Sequence, residues 1–193
     1  MVVDVTLREQ VRAAASRVHD TLGPIDVLIN NAGVADSAPF ATMDDELWER
    51  ALSVNLTGTY NCMRAIVPGM FERGRGRVIN IASIAAKVGF PYTAAYVASK
   101  HGVLGLTRAV AIEAATRGVT VNAICPGWLD TEMTARSVTR IATRTGQSTA
   151  DARHALERMN PQGRLIDPVE VAAIAAFLAS PEAHGINGQD FDI

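Results

Sequence analysis

The sequence predicts an α/β protein built on a doubly wound parallel sheet, Rossmann-like with helices on both faces, and three observations carry that prediction. Short apolar runs alternate with longer stretches of helical periodicity along the whole chain. Three of the runs, at 27–30, 78–81 and 119–124, are almost continuously apolar, as parallel strands covered on both faces must be. The helical stretches that separate them stop at Gly23, Gly74 and Gly118, where a left-handed turn ends a helix cheaply. Strand–helix alternation of this kind puts helices on both sides of one sheet.

Each element follows from local pattern. "MVVDV" is a short β-branched run. After it, Leu7, Val11, Ala14, Val18 and Leu22 recur at helical spacing, with Thr6 as the expected N-cap. "DVLINNAG" is a strand running into a turn, and 44–72 reads as one long helix capped near Thr42 or Asp44. "GRVINIAS" is the next strand, 94–117 the next helix and "VTVNAICPG" the strand after it. Residues 136–158 are polar and helix-prone, "DPVEVAAIAAFLAS" is a helix with Pro168 in its first turn, and "GQDFDI" is a last strand. No repeat, linker or low-complexity tract divides the chain, so 1–193 is expected to be a single domain.

Composition narrows the function classes. The formal charge of −2 gives no global field that would recruit nucleic acid. Cys62 and Cys125 make no disulfide framework and fit a reducing compartment, where both are expected to be small buried apolar groups. The N-terminus lacks a signal-peptide pattern, and the longest apolar stretch, 171–179, is too short to cross a bilayer. The expectation is a cytoplasmic protein that engages neither membrane nor nucleic acid. His19, His101, His154 and His184 are scattered and form no metal constellation, so no metal site is expected.

In doubly wound sheets, ligands bind beyond the carboxyl ends of the strands. Three such ends here are chemically distinctive: "NNAG" at 30–33, "NIAS" at 80–83 and "CPGWLDT" at 125–131. They lead to Tyr96 and Lys100, spaced i and i+4 on one helical face. Only two of the 18 basic residues are lysines, so the choice of lysine there is unusual for this chain. A tyrosine with a pKa of about 10 is a poor proton shuttle near neutrality. A cation about 4 Å away would stabilise the phenolate by about 1–4 kcal/mol, lowering that pKa by about one to three units. Lysine also offers separate donors, one for the tyrosine and others for ligand hydroxyls. Ser83, at the preceding strand end, is placed to hydrogen-bond a substrate oxygen.

The segments "DVLINNAG", "VNLTGTY", "GRVINIASIAA", "YVASKHGV", "GVTVNAICPGWLDTEM" and "GRLIDPVEVAAIAAFLAS" together resemble the short-chain dehydrogenase/reductase family. They cover nearly the whole chain in the family's order. "ASKHGVLGLT" and "CPGWLDTEM" are most similar to β-ketoacyl and polyketide ketoreductases. The resemblance implies an NAD- or NADP-dependent oxidoreductase that interconverts a ketone and a secondary alcohol, with a 3-oxoacyl-type substrate on coenzyme A or a carrier protein. It implies a catalytic tetrad of Asn55, Ser83, Tyr96 and Lys100. Tyr96 would be the general acid, Ser83 would polarise the carbonyl, Lys100 would bind the nicotinamide ribose, and Asn55 would anchor a water joining Lys100 to solvent.

The resemblance also implies cofactor contacts: Asp4 and Val5 beside the adenine, Asn31, Ala32 and Gly33 along the adenosine ribose, and Pro126, Gly127, Leu129 and Thr131 around the nicotinamide. Gly33 and Gly127 suit a close approach of backbone to ligand. It implies a substrate lid at about 132–165 and a homodimer or homotetramer paired through the helices at 44–72 and 94–117. Plainer readings stand beside these. Asn30 is expected to satisfy backbone groups at a strand end, Thr131 to serve equally as a helix N-cap, and His101 to be structural. Arginines 136, 140, 144, 153, 158 and 164 read as a solvated face, whereas Arg73, Arg75 and Arg77 invite a carrier-protein or phosphate reading.

The chain departs from the family at its start. The family opens with a glycine-rich turn that holds the pyrophosphate at a helix N-terminus, and no such turn occurs here. The likeness begins at the family's third strand, "VVDV", so two βα units, about 60 residues, are missing. Residues that choose between NAD and NADP go with them. The sequence is therefore expected to be part of a longer enzyme, with a genuinely short protein as the competing explanation. Two functional alternatives stay open: a non-catalytic fragment or interaction subunit unable to bind cofactor, and a dehydrogenase of a sugar, steroid or other cyclic alcohol.

Overall fold

A computed structural model describes all 193 residues. The elements run α1 (Arg8–Leu22), β1 (Val27–Asn30), α2 (Asp45–Ala51), α3 (Gly58–Arg73), β2 (Gly76–Ile81), α4 (Ala94–Ala114), β3 (Val119–Cys125), α5 (Glu132–Thr145), α6 (Thr149–Glu157), α7 (Pro168–Ala179) and β4 (Asp190–Asp192). The four strands form one parallel sheet in the order β1-β2-β3-β4.

Period-two alternation assigns each strand residue to a face. Val78 of β2 and Val119 and Val121 of β3 pack on Met63, Val67 and Met70 of α3 and on Ala111 and Ala114 of α4. On the opposite face, Ile79 and Ile124 pack on Val171, Ala175 and Leu178 of α7. The sheet is thus covered on both sides, which is why all seven residues of β3 are buried. This is the predicted Rossmann-like three-layer arrangement.

Buried asparagines lock the layers together. Asn30 Nδ2 donates to Asn80 Oδ1 at 2.7 Å, and Asn80 Nδ2 donates to Thr107 Oγ1 of α4 at 2.8 Å. Asn30 therefore bonds a neighbouring side chain, not the backbone groups the sequence suggested. Asn122 and Asn187 make a second brace, binding Ile186 O, Val121 N and Ala111 O, and they fix the short strand β4.

Several expectations need correction. "VVDV" is not a strand: residues 1–6 lack a ladder partner, and Val5 instead packs over Gly58, where a Cβ would sit 2.6 Å from its side chain. The N-cap of α1 is Leu7, without a side-chain bond, because the Thr6 hydroxyl donates to Asp4. Of the apolar stripe on α1 only Val11 is buried, since α3 is the main element packed against that helix. The helix expected at 44–72 is interrupted by a π-helical segment, Leu52–Thr57, although Asp44 caps its start and Gly74 ends it in a left-handed turn. The stretch 136–158 divides into α5 and α6 around Gly146, whose φ is +74°. Arg73, Arg75 and Arg77 are engaged internally, with Ile25 O, Asp26 and Gly76 O respectively, at the sheet end opposite the distinctive loops.

The Asn30–Asn80–Thr107 chain is buried, so removing its centre leaves a buried donor unpaired. Asn80→Leu is expected to lower stability by about 1–3 kcal/mol. Urea unfolding should show a lower midpoint with an unchanged slope.

Candidate functional site

The ladder between β2 and β3 continues past the strands: Ala82 N donates to Ile124 O at 2.8 Å and Ile84 N to Pro126 O at 3.0 Å. Ser83 is thereby held next to Pro126 at the carboxyl edge of the sheet. Its hydroxyl also accepts from Ala85 N at 3.1 Å, capping a short 3-10 turn. The chain then crosses to α4, which carries Tyr96, Ser99 and Lys100.

Lys100 is buried, and its Nζ donates to Ile81 O at 2.7 Å and lies 5.8 Å from the centre of the Tyr96 ring. A Cβ added to Gly33 would lie 3.3 Å from Asn55 Oδ1 and 3.8 Å from Lys100 Nζ, so the turn after β1 runs directly beside both. Asn55 sits in the π-helical segment and is 1% exposed. Its Oδ1 accepts from Val34 N at 2.8 Å, and its Nδ2 donates to Val34 O at 3.0 Å and to Ser99 Oγ at 2.9 Å. The π turn, which places its side chains differently from an α turn, is a common device at functional sites. Gly33, Asn55, Ser83, Tyr96 and Lys100 thus converge from four separate segments.

The electrostatics differ from the simple sequence argument. Burial pushes the Tyr96 phenol above its ordinary value, with the Ser83 hydroxyl working in the opposite direction. The expected depression by Lys100 does not appear: desolvation is the largest influence on the phenol, and the lysine's own bond goes to Ile81 O. Burial also lowers Lys100 to about 8, while the Cys125 thiol is raised to about 11 and stays neutral. Tyr96 is therefore a protonated donor at neutral pH.

Other predicted residues fall into two groups. Pro126, Gly127, Leu129 and Thr131 follow β3 on the site edge. Thr131 is the N-cap of α5, accepting from Thr134 N at 3.4 Å, and Leu129 makes an isolated bridge with Ile166. Asn31 and Ala32 are exposed beyond β1. Val5 is held to α3, where Asn61 Nδ2 donates to Val5 O at 2.9 Å, and Asp4 N donates to Gln10 Oε1 of α1 at 2.9 Å. At Gly127 a Cβ would meet Asn160 Oδ1 at 2.4 Å, so on that side a protein side chain already occupies the space.

The α5–α6 arginines are not simply a solvated face. Arg140 reaches Ser37 at 2.9 Å and Asp36 at 3.5 Å, joining α5 to the loop after β1. Arg153 pairs with Asp130 and Glu157, and Arg164 with Glu170. Underneath, Trp128 packs on Val138, Ala142, Ala152, Leu156 and Leu165. Tyr92, with φ +66°, is the one non-glycine residue in the left-handed region, and its carbonyl accepts from Ala38 N at 2.9 Å. Sequence reasoning missed Ser99, Tyr92 and Asn160, and no local pattern marks any of them. His101 Nδ1 lies 3.0 Å from Val97 O within its own helix, fitting a structural role. Asp190 and Asp192 lie near Cys125, and both carboxylates are paired with the Lys87 ammonium.

The whole chain, residues 1–193, matches the family model described as enoyl-(acyl carrier protein) reductase. It is 38% identical to a putative ketoacyl reductase of Streptomyces coelicolor over 98% of this chain and 74% of that protein. It is 41% identical to an acetoacetyl-CoA reductase of Shinella zoogloeoides over 96% of this chain and 73% of that one. An actinorhodin polyketide ketoreductase crystallised with NADPH superposes with a TM-score of 0.96 at 38% identity, covering 100% of this chain and 75% of its own.

The lysine makes a pH prediction. Its folded-state value lies below its unfolded one, so between about pH 8 and 10.5 the unfolded chain binds the additional proton. Stability should therefore rise with pH across that window, and the burial cost is fully present below it. Relative to Lys100→Met, the wild type should gain about 2–3 kcal/mol between pH 7 and pH 10 in urea titrations.

Proposed function

The chain belongs to the short-chain dehydrogenase/reductase family, and on that premise we propose that it reduces a 3-oxoacyl-type ketone to the secondary alcohol. The observation that carries the proposal is the convergence of Ser83, Tyr96 and Lys100 beside Gly33 and Asn55. Relatives named for ketoacyl and acetoacetyl-CoA reduction support the substrate class.

The residues present fit the nicotinamide-ribose end of NAD(P)H. Lys100 spends one of its three donors on Ile81 O, leaving two that suit sugar hydroxyls. The backbone of Asn31–Gly33 on one side and of Pro126–Gly127 on the other would flank the group. When bound, the nicotinamide supplies the hydride. The chain's own residues supply the rest. Ser83 donates a hydrogen bond to the ketone oxygen, polarising it. Tyr96, kept protonated by burial, delivers its phenolic proton to that oxygen as negative charge develops. The resulting phenolate lies close to the Lys100 ammonium, which stabilises it.

The same proposal reads 1–193 as one domain with a lid at 132–165, places it in the cytoplasm, and gives it an acyl substrate carried on coenzyme A or a carrier protein. No helix is long and apolar enough to cross a membrane. It also includes a homodimer or homotetramer paired through α3 and α4, where Tyr60 and Ile112 are exposed.

Titration with NADH and NADPH tests the cofactor reading: saturable binding of either supports it, and absence of binding by a folded sample counts against it. With acetoacetyl-CoA as substrate, Tyr96→Phe is expected to lower kcat by about 10²- to 10⁴-fold while leaving the unfolding midpoint nearly unchanged. Retention of most activity would sink the mechanism.

A further inference from the structure

Asn160 lies in the turn after α6 and is 4% exposed. Its Oδ1 accepts from Trp128 N at 2.9 Å, and its Nδ2 donates to Trp128 O at 2.9 Å and to Arg164 O at 2.7 Å. An asparagine amide has two donor hydrogens and one acceptor oxygen, and here all of them meet backbone. The Trp128 carbonyl also accepts from Ile166 N at 2.9 Å, and Asp130 N donates to Ile166 O at 2.9 Å. Residues 126–131 and 160–166, the two roots of the α5–α6 segment, therefore form one fixed base.

Gly127 completes the arrangement. Because a Cβ there would stand 2.4 Å from Asn160 Oδ1, glycine is what lets the amide reach Trp128. Pro126 O accepts from Ile84 N, and Gly127 N donates to Ile193 O at 2.9 Å, so the loop is also pinned to the sheet edge. The pin from Asn160 is made by a side chain, and it can be removed without touching those backbone bonds.

We propose that Asn160 is a positioning residue: its amide fixes the Pro126–Trp128 backbone where that backbone would line the nicotinamide, at the base from which α5 and α6 rise. The proposal rests on the cofactor reading above. Small misplacements of such a backbone are costly, because a shift of about 1 Å at a reacting group can lower rates about 10²-fold.

The test uses the 193-residue chain with Asn160→Ala and Asn160→Asp, read by residue-resolved amide hydrogen exchange and by NADPH titration. In Asn160→Ala, exchange at Trp128 should accelerate about tenfold or more while Val121–Ala123 keep their wild-type rates. The NADPH dissociation constant should rise about tenfold. Asn160→Asp keeps the acceptor for Trp128 N but sets a carboxylate against two carbonyls. Its affinity should fall similarly and recover toward wild type as pH drops and the carboxyl regains a donor, a profile that mere loss of packing does not produce. Unchanged exchange at Trp128, equal acceleration in β3, or an unchanged NADPH affinity with a loosened loop would overturn the positioning role. If the wild type binds no NADPH, the cofactor reading falls and positioning toward a nicotinamide falls with it. The exchange data then decide the staple alone.

Discussion

Everything at the site depends on the parallel register of β1, β2 and β3. Asn30 lies beside Asn80, and Asn80 beside Ala123, so all three strands finish at the same edge. Parallel pairing allows no other arrangement: strands running the same way must send their following loops out on the same side. The turn at 31–33, the Ser83 segment and the loop at 126–131 are adjacent for that reason. Residues some 95 positions apart in the chain need no further device to be brought together, only anchors that stop the loops from wandering.

Those anchors are mostly amides. Asn55 fastens the first loop to α4, Asn80 fastens β2 to the same helix, and Asn160 fastens the third loop to the segment that covers it. A buried amide is suited to this work because it can satisfy backbone donors and acceptors at once, whereas an apolar residue would leave them unpaired. The result is a site edge with backbone held rigidly and side chains free to act. The covering segment joins the opposite wall through Arg140, which meets Ser37 and Asp36 of the first loop.

Desolvation sets the chemistry at the centre of this edge. Tyr96 and Lys100 are close enough to influence one another, yet burial moves each toward its neutral form. The balance favours a protonated tyrosine, the form that carbonyl reduction consumes. A lysine whose value has fallen to about 8 carries its charge at neutral pH with little margin. An arginine would stay charged under the same burial, and its larger planar head would not make the single contact to Ile81 O in the same way.

The fold was legible from the chain because continuous apolar strands and glycine-stopped helices are local properties that burial on two faces imposes directly. Ser83, Tyr96 and Lys100 were legible for a related reason: a strand end and an i, i+4 helical pair fix direction without long-range information. "VVDV" was misread because β-branched composition signals strand propensity, and a strand exists only where a partner supplies its hydrogen bonds. The crowding of Gly127 by Asn160 was not legible because that partner lies 33 residues away. The chemistry of the tyrosine was misjudged because a charge–charge argument carries no knowledge of burial. The sequence by itself determined the layered α/β architecture and the sheet edge at which Ser83 meets the helix carrying Tyr96 and Lys100. Tertiary structure alone decided the protonation preferences, the π-helical placement of Asn55 and the clamp by Asn160, since desolvation and side-chain-to-backbone bonding arise only when distant segments meet.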